Sequence, residues 1–196
     1  MLTLKIRDSL KNNALNEILM IKDIIDFSPE CIVDLGANIG YYSEVFLDNF
    51  PNAQVHAYEP HPDNLSLLTK IKNDRLKIYP YGISNRNFKA KIGMRDDGKD
   101  NNGTYGIYGK VNLTEVEFKD GNNETLLPDF AKIDVEGSEL DILSCEKFLS
   151  NTKAILIELV YKDDFKHNDL IKKRLLDLNF KFSKQVDKND QLWLRL

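Results

Sequence analysis

The tightest constraint on the fold is a short segment in which an apolar run stops at a glycine turn and then resumes with helical character. Residues 32–43 read IVDLGANIGYYS, with Asp34 closing the apolar run and glycines at Gly36 and Gly40. Glycine permits positive φ and close approach of other groups to the backbone. The segment therefore predicts a strand, a tight turn and a helix whose unpaired N-terminal amides favour a carboxylate or phosphate.

Strand-like and helix-like patterns alternate after this turn. Strand-like apolar runs cover residues 31–35, 54–59, 76–83, 130–136 and 154–160, and segments with helical spacing of apolar residues lie between most of them. Pro80 indicates that the run 76–83 is irregular or near a sheet edge at that point. Strands that alternate with helices predict right-handed crossovers and a mostly parallel sheet. Residues 181–196 have the pattern of two strands joined by a turn, which predicts a C-terminal hairpin at an antiparallel edge.

The length of 196 residues favours one domain. We expect a single domain over residues 1–196, with a helical segment over 1–28. Residues 88–120 contain two alternating, strand-like runs on either side of a stretch rich in Gly and Asn, 95–109. This composition predicts a β insertion with a flexible loop that helps to shape a pocket.

Charge and cysteine content narrow the classes of partner and compartment. The formal net charge of -4 provides no general attraction to a phosphate backbone, so we expect no nucleic-acid partner. No apolar run approaches the ~20 residues that a membrane-spanning helix needs, so we expect no membrane partner. Cys31 and Cys145 have no neighbouring Cys or His at metal-ligand spacing, which predicts core thiols and a cytoplasmic location.

The glycine turn differs from a dinucleotide-binding turn. The pattern G-x-G-x-x-G would need glycine where Asn38 stands and again at Tyr41. A side chain then occupies the place where a pyrophosphate needs the backbone, whereas the carboxylate of Asp34 favours a cationic amine. S-adenosylmethionine, which carries an ammonium group, a carboxylate and a sulfonium, suits this turn better than a nicotinamide dinucleotide. A nicotinamide-dependent oxidoreductase stays an alternative.

A second acidic residue follows at the spacing expected for a ribose contact. Glu59 ends the second predicted strand, about twenty residues after Gly40. A carboxylate at this position can accept hydrogen bonds from both ribose hydroxyl groups. The glycine turn and Glu59 together predict a cofactor that contains a nucleoside.

Three segments carry a distinctive combination of residues: VDLGANIGYYS, YEPHPDNLSLL, and KIDVEGSELDIL followed by ILIELV. Over residues 32–160 this combination resembles the FkbM family of S-adenosylmethionine-dependent methyltransferases. The resemblance implies an α/β fold, the Rossmann-like seven-stranded class I methyltransferase fold, in which the terminal hairpin supplies the last two strands. It also implies O-methylation, often of sugars in glycans or natural products, so the expected partner is a sugar, glycan or small-molecule acceptor.

The resemblance and the strand-end positions give a set of candidate site residues. Those expected to bind the cofactor are Asp34, Gly36, Ala37, Asn38, Gly40, Tyr41, Tyr42, Glu59, Pro60, Ile83, Ser84 and Asp134. Those expected to act in catalysis are Asp134, Glu136, Lys132 and Glu158. Of the two adjacent tyrosines, we expect one to belong to the core.

The chain must supply a group that helps to remove the acceptor proton. A sugar hydroxyl is almost un-ionised at neutral pH, so a base or a metal ion is needed. We favour direct base catalysis by Asp134 or Glu136 over assistance by a magnesium-type ion. Glu158 lies inside an apolar strand, where it is either functional or paired with Lys132. Glu139, in the first turn of the next predicted helix, is explained by the helix dipole.

Two other classes of protein stay open. One is a binding module that retains the cofactor fold without turnover. The other is a nucleic-acid methyltransferase, but the sequence after the fourth predicted strand is Asp134-Val135-Glu136-Gly137. A tetrad of the N/D-P-P-Y type would be expected there if the chain methylated amino groups of bases.

Overall fold

The computed structural model describes residues 4–94, 105–106, 109–159 and 165–196, so most of the predicted loop 95–109 lies outside the described residues. In chain order the helices and strands are α1 Leu4–Ile24, β1 Cys31–Leu35, α2 Tyr41–Asn49, β2 Gln54–Tyr58, α3 Pro62–Leu68, β3 Leu76–Tyr79, β4 Gly82–Ser84, β5 Phe88–Met94, β6 Tyr105–Gly106, β7 Val111–Asp120, β8 Phe130–Ile133, α4 Glu139–Leu143, β9 Ala154–Glu158, α5 Phe165–Asp177, β10 Phe180–Gln185 and β11 Asp190–Arg195.

Seven strands form the main sheet, in the order β10-β11-β9-β8-β1-β2-β3. Strands β9, β8, β1, β2 and β3 run parallel, while β11 is antiparallel to both β9 and β10. This confirms the predicted α/β fold with a mostly parallel sheet and an antiparallel C-terminal hairpin. Because β1 lies between β2 and β8, the chain winds away from β1 in both directions. The carboxyl ends of these strands meet at the switch point where open parallel sheets bind ligands.

Helices cover both faces of the main sheet. On one face α1 and α2 contribute Ile18 and Phe46, which pack against Phe130 of β8. On the other face α4 and α5 contribute Ile142 and Ile171 to a second cluster of buried side chains. Burial on both faces explains why the central strands are almost continuously apolar. A charged side chain on such a strand is therefore conspicuous.

Strands β4, β5, β6 and β7 form a second, smaller sheet in the order β4-β7-β5-β6. The irregularity predicted at Pro80 is confirmed, but the run forms two strands and not one: β3 ends at Tyr79, and β4 begins at Gly82 in the smaller sheet. Pro80 lies at the break, since proline has no N–H to donate to a strand ladder. The break carries the chain from the edge of the main sheet to the β insertion.

Two of the helices that follow the glycine turn are short. Helix α3 ends at Leu68, and α4 has only five residues. The hydroxyl of Ser144 and the thiol of Cys145 follow α4 and donate back to the carbonyls of Leu140 and Asp141. Such side-chain bonds compete with helix continuation. Within the described parts of the chain, no helix combines the length and apolarity needed to cross a membrane.

Candidate active site

A cavity opens at the carboxyl ends of β1, β2, β8 and β9, where the two sheets meet. Its lining residues are Leu35, Gly36, Asn38, Tyr41, Tyr58, Glu59, Pro60, Asn64, Gly82, Ile83, Ile92, Gly106, Phe118, Asp134, Val135, Glu136 and Glu158. Most of the predicted site residues therefore lie at one cavity. The predicted residues that are not part of the lining are Asp34, Ala37, Gly40, Tyr42, Ser84 and Lys132.

The turn after β1 is packed so tightly that glycine is required at Gly36. Its φ is 80°, and a Cβ atom built there would lie 1.8 Å from the backbone oxygen of Asp134. The amides of Gly36 and Ala37 both donate to the carbonyl of Tyr58, at 3.0 Å. The turn is thus fastened to the ends of both neighbouring strands. It brings the backbone of β1 against the residue that follows β8.

Glu59 fastens the same turn from the side of β2. Its Oε2 accepts the N–H of Asn38 at 2.8 Å, and its Oε1 accepts the N–H of His61 at 2.8 Å. Burial raises the pKa of Glu59 to about 7, although these two backbone N–H groups oppose the shift. Each carboxylate oxygen can accept a second hydrogen bond. Glu59 therefore both holds the turn and presents acceptors to the cavity.

Asp34 lies behind the cavity lining and is fully buried. Its Oδ2 accepts the hydroxyl of Ser43 at 2.6 Å, whereas its Oδ1 has no hydrogen-bond partner among the described residues. Burial raises the pKa of Asp34, and the nearby charge of Lys132 opposes that rise. A buried acceptor oxygen without a donor, next to the turn, is consistent with a cationic group or a water molecule close by.

Lys132 is the buried cation of the site. Its Nζ lies 2.8 Å from Oδ2 of Asp134 and 4.4 Å from the centroid of the Tyr42 ring. Burial alone would lower the pKa of Lys132, but the charges of Asp134 and Asp34 outweigh it and raise the pKa. Tyr42 turns away from the cavity and donates its hydroxyl to Oε2 of Glu17 in α1. Of the two adjacent tyrosines, Tyr41 lines the cavity and Tyr42 lies in the core.

Three carboxyl groups meet at the end of the cavity where β8 and β9 finish. Asp134, Glu136 and Glu158 each place one oxygen within 4.8 Å of the others. Burial raises the pKa of Asp134, but the charge of Lys132 and a hydrogen bond from Glu158 outweigh it, so the pKa is lowered. Burial and the Asp134 charge raise the pKa of Glu158 to about 10. At neutral pH Asp134 is thus a carboxylate and Glu158 carries a proton.

The smaller sheet forms the opposite wall of the cavity. Ile92 of β5 and Phe118 of β7 contribute apolar surface beside Ile83 of β4. A Cβ atom built at Gly106 of β6 would lie 2.8 Å from both Cβ and the carbonyl oxygen of Glu136. Strand β6 therefore touches the backbone that carries the acidic group. The composition of residues 95–109 predicted a pocket-forming loop but did not single out Gly106.

Glu139 is buried and makes specific contacts, which the helix dipole alone did not predict. It is only 1% exposed, and its Oε1 accepts the N–H of Gly137 at 3.0 Å. Its Oε2 lies 3.5 Å from Nε2 of His167 in α5. Glu139 did not figure among the predicted site residues, because an acidic first turn is common. Its position three residues after Glu136 was the available signal.

Together, the switch-point cavity, the glycine turn and the strand-end carboxyl groups define a class I methyltransferase. The chain matches the Methyltransferase FkbM domain over residues 34–182. It therefore belongs to the FkbM methyltransferase family. This confirms the family predicted from the three segments, and with it the prediction that S-adenosylmethionine is the cofactor.

Solved structures show the same fold at low sequence identity. Fibrillarin from Aeropyrum pernix, in complex with S-adenosyl-L-methionine, is 12% identical with a TM-score of 0.54, over 94% of this chain and 76% of that chain. Precorrin-6y C5,15-methyltransferase from Geobacter metallireducens is 12% identical with a TM-score of 0.54, over 100% and 91%. TYW2 from M. jannaschii, in complex with AdoMet, is 13% identical with a TM-score of 0.51, over 100% and 78%. Among curated proteins, no sequence matches this chain significantly.

The residues at the cavity fit S-adenosylmethionine. Glu59 offers acceptors for the ribose hydroxyl groups, and Ile83 with Phe118 offers apolar surface for a base. The glycine turn has no room for a side chain at Gly36, and the carboxyl groups of Asp134, Glu136 and Glu158 lie at the same cavity. Negative charge on the protein favours a cationic sulfonium and an ammonium group. The hydrogen-bond acceptors and the negative charges of the site thus agree with the chemistry of this cofactor.

Proposed function

We propose that the protein is an S-adenosylmethionine-dependent O-methyltransferase that acts on a hydroxyl group of a sugar, a glycan or a related small molecule. The observation that supports this best is the group of three carboxyls, Asp134, Glu136 and Glu158, at the end of the cofactor cavity. A hydroxyl acceptor needs a proton acceptor within reach, and this group provides one. A cytoplasmic location is part of the proposal and rests on the free thiols of Cys31 and Cys145.

When bound, S-adenosylmethionine would supply a methyl group activated by its sulfonium for transfer to the acceptor oxygen. Glu59 and the glycine turn bind and orient the nucleoside and amino-acid parts. Asp134, fixed as a carboxylate by Lys132, accepts a hydrogen bond from the acceptor hydroxyl and orients it. Because the lowered pKa makes Asp134 a weak base and Glu158 already holds a proton, Glu136 takes up the acceptor proton.

The charge of the site argues against a nucleic-acid acceptor. Asp134 is ionised at the reacting end, and the chain has a net charge of -4. A polyphosphate backbone would have to approach these carboxylates without a compensating basic patch at the cavity lining, where the described residues include no Lys or Arg. A neutral polyol avoids this repulsion.

Methionine nucleosides are expected to stabilise the protein, whereas NAD is not. A ligand that binds only the native state raises the melting temperature by mass action. At a ligand concentration of about 100 times Kd, the stabilisation is about 2.7 kcal/mol. Thermal unfolding with S-adenosylhomocysteine, S-adenosylmethionine and NAD is the measurement. A shift with NAD and none with either methionine nucleoside would favour the oxidoreductase alternative.

Replacing Glu59 with glutamine is expected to weaken binding of S-adenosylhomocysteine by about 10- to 100-fold. The ribose hydroxyl groups lose a charged acceptor, and a hydrogen bond to a charged group contributes roughly 1.5–3 kcal/mol. Hydroxyl donors favour the ionised carboxylate, so the wild type is also expected to release protons on binding near pH 6.5. Calorimetry in two buffers of different ionisation enthalpy measures affinity and proton release together. Unchanged affinity would place Glu59 outside the site.

The pH dependence of the free energy of unfolding provides a second test of Glu59→Gln. The folded-state pKa of Glu59, about 7, lies above the ordinary value of 4.5, so the folded state binds more protons between these values. The contribution of Glu59 to the free energy of unfolding therefore falls as pH rises from 4.5 to about 7 and is level above that. Glu59→Gln should flatten this part of the profile. Glu115→Gln, on the exposed side of β7, is the control and should leave both affinity and profile unchanged.

A further inference from the structure

The turn that carries Glu136 is held in an unusual backbone conformation. Glu136 has a φ of 52° and Gly137 a φ of 118°, so two successive residues lie in the positive range. A non-glycine residue with positive φ persists only where its surroundings enforce it. The surroundings here include the side chain of Glu139, which accepts the N–H of Gly137 at 3.0 Å. The direction of the Glu136 side chain therefore depends on Glu139.

Glu139 is itself held from α5. Its carboxylate is 1% exposed, and its second oxygen lies 3.5 Å from Nε2 of His167. Helix α5 follows β9, and β9 ends at Glu158. The contact between Glu139 and His167 thus links the turn that bears Glu136 to the helix that follows Glu158.

Other contacts dock α5 without this pair. Arg174 donates from Nη2 to Glu146 at 2.6 Å and from Nε to the carbonyl of Leu143 at 3.1 Å. Ile171 and Leu175 of α5 are fully buried in the core. The packing of α5 is therefore secured by residues on its later turns. What His167 adds is a contact with the carboxylate that holds the Gly137 amide.

We propose that Glu139 and His167 are positioning residues: they hold the Glu136–Gly137 turn so that the Glu136 carboxylate faces the acceptor hydroxyl. Neither residue is part of the cavity lining, so both act through Glu136. This inference rests on the proposed function, in which Glu136 takes up the acceptor proton. It extends the catalytic apparatus to α5, which is remote in sequence from the turn.

The test combines kinetics with hydrogen exchange at a single amide. His167→Leu replaces the imidazole with an apolar side chain and removes the contact with Glu139. His167→Gln places an N–H donor at a similar reach. We expect His167→Leu to lower kcat by about tenfold, because small misplacements of a reacting group are costly, and to leave KM for S-adenosylmethionine within about twofold. We expect the Gly137 amide to exchange about tenfold faster, and His167→Gln to restore both values towards wild type.

Glu146→Gln is the matched control, since it removes the ion pair between Glu146 and Arg174 of α5. It should change neither kcat nor the exchange of Gly137. Unchanged Gly137 exchange in His167→Leu, or failure of His167→Gln to restore it, would overturn the proposal. If His167→Leu does not fold, Glu139→Gln gives the same reading, with faster exchange expected. Failure of the proposed function can be distinguished from failure of this inference. In the first case the wild type would bind S-adenosylhomocysteine without methylating any acceptor, and the exchange of the Gly137 amide would still report on the turn.

Discussion

Replacing Lys132 with methionine is expected to cost roughly 3–5 kcal/mol of unfolding free energy, because it removes the partner of buried carboxylates. Lys132 is 1% exposed and lies 2.8 Å from Asp134, and it also faces the fully buried Asp34, its register partner on β1. Methionine can occupy a similar volume, so the loss would come mainly from charge. Denaturant unfolding at pH 8 is the measurement.

The loss of unfolding free energy in Lys132→Met should depend on pH, with a sign that follows from the pKa of Asp134. In the wild type this pKa is lowered, so the carboxylate contributes stability that is present at neutral pH and is lost as pH falls through its folded value. Without Lys132, burial would raise the pKa of Asp134, and its contribution would decrease as pH rises. The difference between wild type and Lys132→Met should therefore widen from pH 5 to pH 8.

A surface lysine provides the control for this experiment. Lys11 in α1 lies 3.3 Å from the half-buried Glu44 and 3.6 Å from the exposed Asp48, both in α2. Ion pairs that remain accessible to solvent contribute only about 0–1 kcal/mol. Lys11→Met should therefore leave stability almost unchanged at both pH values. An equally small effect of Lys132→Met would show that the buried cation does not stabilise the fold.

The large-scale fold was predictable because its signals are local. The alternation of strands with helices, the glycine turn and the final hairpin are each readable within about 15 residues. Parallel pairing then followed from the general rules for connections. The position of Glu59 was predictable for the same reason, since a strand end at a fixed spacing from the turn leaves few alternatives.

The strand break at Pro80 shows where local signals are insufficient. Residues 76–79 and 82–84 have similar strand-like composition, but the first segment pairs with β2 and the second with β7. The choice of partner depends on residues 118–120, which are distant in sequence. Proline indicated an interruption without indicating that the chain would change sheets.

Within the site, position relative to the carboxyl end of a strand separates the charged candidates that reach the cavity from those that do not. Asp34 and Lys132 are register partners on β1 and β8, and both point to the face covered by α1 and α2. Tyr42 joins them there through its contact with Lys132. Glu59 and Glu136 lie beyond the carboxyl ends of β2 and β8, so the predicted strand ends could have separated them from Asp34 and Lys132. The contact between Glu139 and His167 could not be deduced, because His167 is brought to Glu139 only by the docking of α5.

Replacing Glu136 with glutamine is expected to reduce methyl transfer by about 10²–10⁴-fold, the typical contribution of a positioned base. The affinity for S-adenosylhomocysteine should change by only a few-fold, since Glu59 and the glycine turn hold the nucleoside. Asp134→Asn should also reduce turnover, through loss of the group that orients the hydroxyl. Turnover with a panel of sugars and glycans, together with calorimetry, measures both effects. Glu117→Gln, an exposed charge change on β7, is the control.

Base catalysis and metal assistance make opposite predictions for the same three carboxyls. A divalent ion would need Glu158 as an anionic oxygen ligand, whereas burial and Asp134 raise the pKa of Glu158 to about 10. Lys132 already neutralises Asp134 at 2.8 Å, so the local charge is lower than three carboxyls suggest. We therefore expect turnover to survive exhaustive chelation. Activity that disappears with chelator and returns with magnesium would instead assign the three carboxyls to a metal ion. In that case Glu136→Gln would weaken the binding of magnesium as well as the removal of the acceptor proton.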